Sequence, residues 1–559
     1  MHEPRLILDY ALEHASRQPG RVFLTQPVGG GRVVDLTWGE TLEQAQRMAA
    51  HLRSRGFPPG ARIGILSKNC AHFIVAELAI WLAGYTTVAI FPTETAGTVN
   101  FVLEHSEASL LFVGKLDDWA QQRPGVPPGL PCIALPLAPP GDLERWEAIV
   151  ERTAPLEEPA PRLAEDLAML LYTSGSTGTP KGVMTSFGAF TRAAEGIRGE
   201  VRRHLGRDVE GRLLSYLPLA HALERVWVAG SALVDGNTRV YFAESLETFV
   251  DDLRRARPTL FMSVPRLWIK FQQGVFARLP PERLDRLLRV PLLGGFVARK
   301  VLAGLGLDQV TLAGSGSAPI PADVIEWYRR LGLRLYEGYA MTEDTAYSHT
   351  SSEDLHAPGY VGAPLPGVEV RLSPEGEILI KSPGQFSGYY KQPELTAAAF
   401  TEDGFFRTGD LGERRPDGLL KITGRAKELF KTAKGKYVAP VPIENRINLH
   451  PLVELSVVTG VGRPSACALV VLAEDLRPRL ADAELRRQVE SQLTALLREV
   501  NAGLAEYERL RMLVVVNEAW SIENGCLTPT MKVRRAAIEA RVAPHLDTWY
   551  ASERPVVWM

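Results

Sequence analysis

The chain has 559 residues, 45% of them apolar and 23% charged, too long for one ordinary domain and rich enough in apolar side chains to fold around large cores. Lys and Arg number 63 against 65 Asp and Glu, a formal net charge of -2, which argues against a nucleic-acid binder working through a basic surface. Cys70, Cys132, Cys467 and Cys526 are scattered without metal-ligand spacing; this excludes a zinc module and fits a reducing cytoplasm.

Residues 1–14 carry acids early and no long apolar core, so no signal peptide is expected. An amphipathic helix is predicted over 38–56. Strands at 61–67, 86–91 and 109–114 then alternate with helices at 72–82 and 99–105, the pattern of βαβ units and a parallel sheet. The most apolar stretch, 72–91, is interrupted by Glu77 and Gly84. A membrane span needs about 20 mainly apolar residues without such breaks, so the reading is a buried helix followed by a strand. Residues 122–140 are Pro-rich and read as an irregular connection. An apolar strand at 167–171 runs into a loop ending at Pro180-Lys181-Gly182, and a second alternating block follows over 187–339. After Gly359 the character changes. The segment VEVRLSPEGEILIKS reads as a hairpin turning at Pro374-Glu375-Gly376, and GLLKITGR as a further strand. The tail combines three strands with a helix over 482–497. The predicted fold is α/β: a large N-terminal domain of alternating αβ layers with a β-rich subdomain (1–424), and a small α+β C-terminal domain (425–559). No repeat of fixed period is present.

The sharpest motif is TSGSTGTPKG, residues 173–182. Gly175, Gly178 and Gly182 allow backbone shapes and close approaches that a Cβ would block. Backbone N–H groups and the hydroxyls of Thr173, Ser174, Ser176, Thr177 and Thr179 can face anionic oxygens, and Lys181 adds a point charge. That is the chemistry of a phosphate cradle. It is not a Walker A loop, because Pro180 and Gly182 stand where that pattern needs Gly and Ser or Thr. A flexible linker is the competing reading, but linkers rarely follow a buried strand directly or carry Pro-Lys-Gly. The segment resembles the phosphate loop of the adenylate-forming superfamily: acyl-CoA synthetases, nonribosomal adenylation domains and beetle luciferases.

Downstream motifs agree in order and spacing. In that family the turn at Gly316-Ser317-Ala318 lies against adenine. In Glu337-Gly338-Tyr339-Ala340-Met341-Thr342-Glu343, an aromatic ring can stack on a purine, a hydroxyl can bond a phosphate and a carboxylate can hold Mg²⁺. The resemblance implies that Tyr339 packs on adenine, Thr342 meets the α-phosphate, and Glu343 binds Mg²⁺ with Thr173. Ala340 departs from the glycine usual there. Asp410 is implied to hold the ribose hydroxyls with Arg425 as its partner, Lys427 to be the hinge of a mobile C-terminal domain, and Gly435 to lie near the channel for coenzyme A. The basic run 421–436 reads equally well as a solvated face. In Asn524-Gly525-Cys526-Leu527-Thr528-Pro529-Thr530-Met531-Lys532, Lys532 is implied to be the catalytic lysine. Taken singly, Tyr339 reads as a core aromatic and Lys532 as a solvated cation.

SYLPLAHALER (215–225), SVPRLW (263–268), GSGSAPIP (314–321) and LTPTMK (527–532) are similar to the long-chain fatty acyl-CoA synthetase branch. There His221 sits where the acyl and adenylate sites meet. Ile269 departs from the acid usual in that branch. Some members gate the acyl tunnel with a tryptophan; counting from His221, that position is Arg225, with Trp227 close but out of place. The resemblance implies ATP-dependent formation of an acyl-adenylate and transfer to coenzyme A. The alternatives are an adenylating ligase serving a carrier-protein pantetheine or another acceptor, and a catalytically silent nucleotide-binding scaffold. The expected partners are a fatty acid, no nucleic acid and no obligate protein. Peripheral membrane contact is a candidate role for the apolar-basic stretch 289–305, against the simpler reading of a packed helix pair.

Overall fold

Strands that are apolar on both faces need helices on both sides, and Arg62–Leu66, Thr86–Ile90 and Ala108–Val113 are such strands. The computed structural model describes residues 5–174, 180–206, 209–528 and 531–559. In it these three strands run parallel at the centre of an eight-stranded sheet, counted among the described residues. Its order is Gly388–Tyr389, Pro180–Ser186, Leu167–Ser174, Thr86–Ile90, Arg62–Leu66, Ala108–Val113, Cys132–Ala134 and Glu144–Arg145. The helix Ala71–Leu82 buries every residue except His72 and stops at Gly84, whose φ of +94° suits glycine. Among the described residues no helix is long and apolar enough to cross a membrane. The helix Trp38–Ser54 begins where the sequence places it, because Thr37 and Glu40 form a reciprocal capping box.

Two expectations need correction. Residues 122–140 are not wholly irregular: Cys132–Ala134 pairs parallel with Ala108–Val113, since Ile133 and Ala134 are buried. Pro180-Lys181-Gly182 does not close the loop but opens the strand Pro180–Ser186. Pro180 is tolerated as the first residue of that strand, and Gly182 leaves room for the Tyr172 ring, 3.2 Å from where a Cβ would stand.

The chain divides into two compact units. One comprises Met1–Val370, Ile380–Phe406 and Pro416–Leu419; the other comprises Arg371–Leu379, Arg407–Arg415 and Leu420–Met559. The first holds the eight-stranded sheet and two more. In one of these, Leu260–Ser263, Leu312–Ser315 and Leu335–Tyr339 run parallel and continue antiparallel into His349–Thr350 and Ala363–Pro364. The predicted hairpin forms between Glu369–Leu372 and Glu377–Lys381, in a sheet continued by Phe406–Arg414 and Leu420–Arg425. The second unit also holds the sheet Val453–Thr459, Ala466–Leu472, Leu510–Val515 and Val556–Trp558. The apolar face of the helix Ala483–Ala502 packs into the same core.

Candidate active site

Strand ends concentrate the motif residues. Thr173 pairs with Lys181, and Ser174 with Pro180, where Leu167–Ser174 and Pro180–Ser186 form an antiparallel hairpin. The predicted Gly175, Ser176, Thr177 and Gly178 lie outside the described residues. On the other edge of Pro180–Ser186, Tyr389 pairs with Val183.

This second pairing builds a cluster that the motifs alone did not reveal. The Tyr389 hydroxyl donates to Glu343 Oε1 at 2.9 Å, and Phe386 N–H donates to the Glu343 carbonyl at 2.8 Å. Lys181 Nζ stands 5.3 Å from the centroid of the Tyr389 ring, within cation–π reach. Burial first, then the Glu343 charge, pushes the Tyr389 phenol up, so it stays a donor. Tyr389 was missed because an aromatic in a two-residue strand, Gly388–Tyr389, carries no periodic signal. Met341 packs against the apolar cluster that includes Val183, Phe386 and Tyr389. Thr342 opens a short turn, Thr342–Asp344, in which buried Asp344 accepts the Met341 N–H at 2.9 Å. Burial pushes Asp344 up to about 8.

Ser315 ends its strand opposite Glu337, which lies two residues before the end of the parallel neighbour Leu335–Tyr339, near the carboxyl edge where open α/β sheets bind ligands. Beyond them, Ser317 and Ala318 are exposed, and Ser317 holds a φ of +69°. The buried Ser315 hydroxyl has no hydrogen-bond partner among the described residues. Glu337 braces the turn: its carboxyl accepts the N–H of Ile320 at 3.4 Å and of Gly359 at 3.2 Å. Burial pushes it up to about 7. Gly338 pairs with Thr350 and Tyr339 with His349, their rings 6.0 Å apart. Ala340 is exposed and does not take positive φ, so its methyl group imposes no backbone strain.

His221 caps the short helix Ala222–Glu224; its Nδ1 accepts the Leu223 N–H at 3.2 Å, which leaves Nε2 as the protonated nitrogen of the neutral ring. The next turn, Arg225–Gly230, is π-helical, a distortion frequent at functional sites. Arg225 does not stand as a mobile gate. It is 1% exposed and pairs at 2.6 Å with Glu77, itself 2% exposed, and its guanidinium lies 4.9 Å from the Phe73 ring centroid. Glu77, which in sequence merely interrupts an apolar run, is thus the buried counter-ion of Arg225. Burial holds Glu77 up at about 7 and Arg225 below the usual guanidinium range. Trp227 Nε1 donates to the Ala346 carbonyl at 3.3 Å.

In the second unit, Asp410 and Arg425 are cross-strand partners, with Arg425 Nε donating to Asp410 Oδ1 at 2.8 Å. Asp410 is buried while Arg425 is exposed. Lys427 is exposed in the turn Ala426–Glu428. Gly435, φ +75°, tips the small hairpin between Phe430–Lys431 and Tyr437–Val438. Lys532 is exposed beside Met531, whose φ is +61°. Its N–H donates to the Thr528 hydroxyl at 3.0 Å, and a bridge joins Leu527 to Val533.

Among the described residues no group of three or more His, Cys, Asp or Glu could hold a metal alone. The oxygens of Glu343 and Thr173 suit Mg²⁺, which commonly takes one or two carboxylates and completes its shell with water and substrate phosphates.

Residues 428–554 match the AMP-binding enzyme C-terminal domain. The chain is 31% identical to the long-chain-fatty-acid–CoA ligase FadD15 of Mycobacterium tuberculosis, over 97% of this chain and 96% of that protein. It is 29% identical to the human long-chain-fatty-acid–CoA ligase 1, over 92% and 82%. Its fold is similar to the A domain of carboxylic acid reductase from Segniliparus rugosus, with a TM-score of 0.80, 23% identity and coverage of 98% and 94%. It is also similar to the o-succinylbenzoate coenzyme A synthetase of Bacillus subtilis, with a TM-score of 0.72, 22% identity and coverage of 94% and 97%. Residues 12–390, more than half of the chain, match the AMP-binding enzyme family, and the chain belongs to that family.

Proposed function

We propose that this AMP-binding enzyme joins a long-chain fatty acid to coenzyme A through an acyl-adenylate, releasing pyrophosphate and then AMP. The observation that carries this reading is the near full-length similarity to long-chain-fatty-acid–CoA ligases. The Glu343–Tyr389–Lys181 cluster beside the phosphate hairpin is consistent with it.

In the first step a carboxylate oxygen attacks the α-phosphorus of ATP and the P–O bond to pyrophosphate breaks. Two anions must meet, so the chain has to supply positive charge and oriented donors. Lys532 carries the cation for this step, Thr342 offers a hydroxyl to the α-phosphate, and Lys181 offsets phosphate charge. Asp410, oriented by Arg425, accepts from the ribose hydroxyls. The adenine lies between Tyr339 and the Ser317-Ala318 turn, which Glu337 keeps in shape. Mg²⁺, held by Glu343 with Thr173, would neutralise phosphate charge. In the second step the thiolate of coenzyme A attacks the acyl carbonyl and AMP leaves. Lys427 serves as hinge between the steps, with the domain division at Gly424/Arg425, and the Gly435 hairpin borders the route of the pantetheine arm. His221 stands at the junction of acyl and adenylate sites. The protein acts in the cytoplasm.

The test is pyrophosphate release with ATP and Mg²⁺ across acids from acetate to oleate, with and without coenzyme A, and with thioester detection. Turnover that depends on coenzyme A and peaks at long chains is the expected result. Pyrophosphate release without thioester would shift the acceptor to a carrier-protein pantetheine or another nucleophile. Silence with every acid would leave a nucleotide-binding scaffold or a carboxylate outside the panel.

A further inference from the structure

Between Pro281–Leu288 and Leu293–Leu305 the chain makes a helical tip whose residues 289–293 are all exposed. Its inner side is fixed. Gly294, Ala298 and Leu302 are buried, and a Cβ on Gly294 would run into the Leu288 carbonyl, so the two helices are clamped where they meet. The outer side is apolar and unpartnered: Val290 is 44% exposed, Leu292 96%, Leu293 42% and Phe296 58%. Exposed apolar side chains are ordinary when scattered, whereas a group gathered within seven residues marks an interaction surface.

The backbone holds this tip outward. Leu293 N–H donates to the Pro291 carbonyl at 2.7 Å, closing a three-residue turn around Leu292, whose φ is +65° and ψ is −47°. A leucine rarely takes that left-handed conformation, and here it keeps the most exposed apolar side chain of the tip away from the fold.

Charge identifies the occupant. From 286 to 307 the sequence has no Asp or Glu and carries Arg286, Arg289, Arg299 and Lys300. Arg289, Arg299 and Lys300 are exposed and flank the apolar group. None of these three forms an ion pair among the described residues. An apolar point rimmed by unneutralised cations complements a layer with anionic headgroups above acyl chains.

We propose that the Val290–Phe296 tip docks this protein on bilayers containing anionic phospholipids, Leu292 and Phe296 entering the acyl boundary while Arg289, Arg299 and Lys300 meet the headgroups. A fatty acid partitions into the same layer, so docking would bring the protein to its substrate's reservoir.

The test uses the full chain without ATP, fatty acid or coenzyme A, so its outcome is independent of the catalytic reading. Co-sedimentation is measured with vesicles of phosphatidylcholine alone and of phosphatidylcholine with phosphatidylglycerol, at low and high salt. Binding is expected on the anionic vesicles and is weakened by salt. Leu292→Ser with Phe296→Ser should lower the partition coefficient about tenfold or more. Arg289→Gln, Arg299→Gln and Lys300→Gln together should lower it on the order of a hundredfold and flatten the salt dependence. Circular dichroism and melting temperature, unchanged from wild type, show that the variants fold. As a second route, an environment-sensitive NBD label on Leu292→Cys should brighten and shift to the blue on anionic vesicles. No wild-type binding, retention of binding within about twofold in the Leu292/Phe296 variant, or an unresponsive label overturns the proposal. So does a self-association in sedimentation velocity that the same variant abolishes, which would make a second copy the occupant.

Discussion

Tyr389 and Glu343 lie 46 positions apart in sequence, yet the Tyr389 hydroxyl donates to Glu343 Oε1 at 2.9 Å while the same ring faces Lys181. The hydroxyl fixes the orientation of a carboxylate proposed to hold Mg²⁺, the role that outer partners play around metal ligands. Tyr389→Phe keeps the ring and its packing on Phe386, 4.9 Å away between centroids, and removes only the donor. The Mg²⁺ concentration giving half-maximal pyrophosphate release should rise on the order of tenfold, with the KM for the fatty acid unchanged. An unaltered Mg²⁺ titration would remove Tyr389 from the site.

The buried Glu77–Arg225 pair yields a stability prediction. Removing one partner leaves an uncompensated charge in the core and costs roughly 3–5 kcal/mol, so Glu77→Leu and Arg225→Met should each lower the urea midpoint sharply. Replacing both with apolar residues, Glu77→Leu with Arg225→Met, should recover most of that loss, because two ions need not then be desolvated. A double-mutant cycle reads the coupling directly. If the two single costs simply add, the pair does not act as a unit.

How far the sequence reached depended on whether a signal was local. Strands such as Arg62–Leu66 and Thr86–Ile90 were legible because parallel strands buried on both faces read as continuous apolar runs. The Ser315 motif was legible because it sits at a strand end, and the Glu337 motif because it runs through the end of the next strand into a turn. Asp410 and Arg425 were paired through the resemblance, and the hairpin register places them opposite each other. Cys132–Ala134 was hidden because three residues beside a proline show no period. Pro180-Lys181-Gly182 was read as loop because Pro and Gly normally break strands; its strand character comes from pairing on both sides. Glu77 was invisible as a counter-ion because Arg225 lies 148 positions away. The π-helical turn at Arg225–Gly230 left no composition mark at all.

The role proposed for Lys532 separates the two chemical steps. In the proposed reaction only adenylation brings a carboxylate against the α-phosphate, so only that step would need its charge. Lys532→Ala should slow pyrophosphate release on the order of a hundredfold or more, while thioester formation from preformed acyl-adenylate and coenzyme A stays within a few-fold of wild type. Normal pyrophosphate release in that variant would falsify the assignment, and equal loss of both steps would point to a folding defect instead.

Glu224 gives a pH dependence with a definite sign. Its Oε1 accepts the Tyr216 N–H at 3.1 Å and Asn69 Nδ2–H at 3.3 Å, and burial pushes its carboxyl up from 4.5 to about 8. The folded protein therefore holds a proton that the unfolded chain releases above its own, ordinary value. The stability that this proton confers is complete below about 4.5 and is lost as pH rises through about 8, with a slope of up to about 1.4 kcal/mol per pH unit for one proton. Glu77 and Glu337, each at about 7, act in the same direction, so the wild-type slope contains more than one group and the comparison has to be made between variants. Glu224→Gln keeps an acceptor oxygen and cannot ionise. Urea unfolding measured across about pH 5 to 8 should show a slope shallower than wild type by up to one proton, and the variant should gain stability relative to wild type toward the alkaline end. Parallel profiles would mean that Glu224 enters the folded state ionised, and that its two N–H donors outweigh its burial.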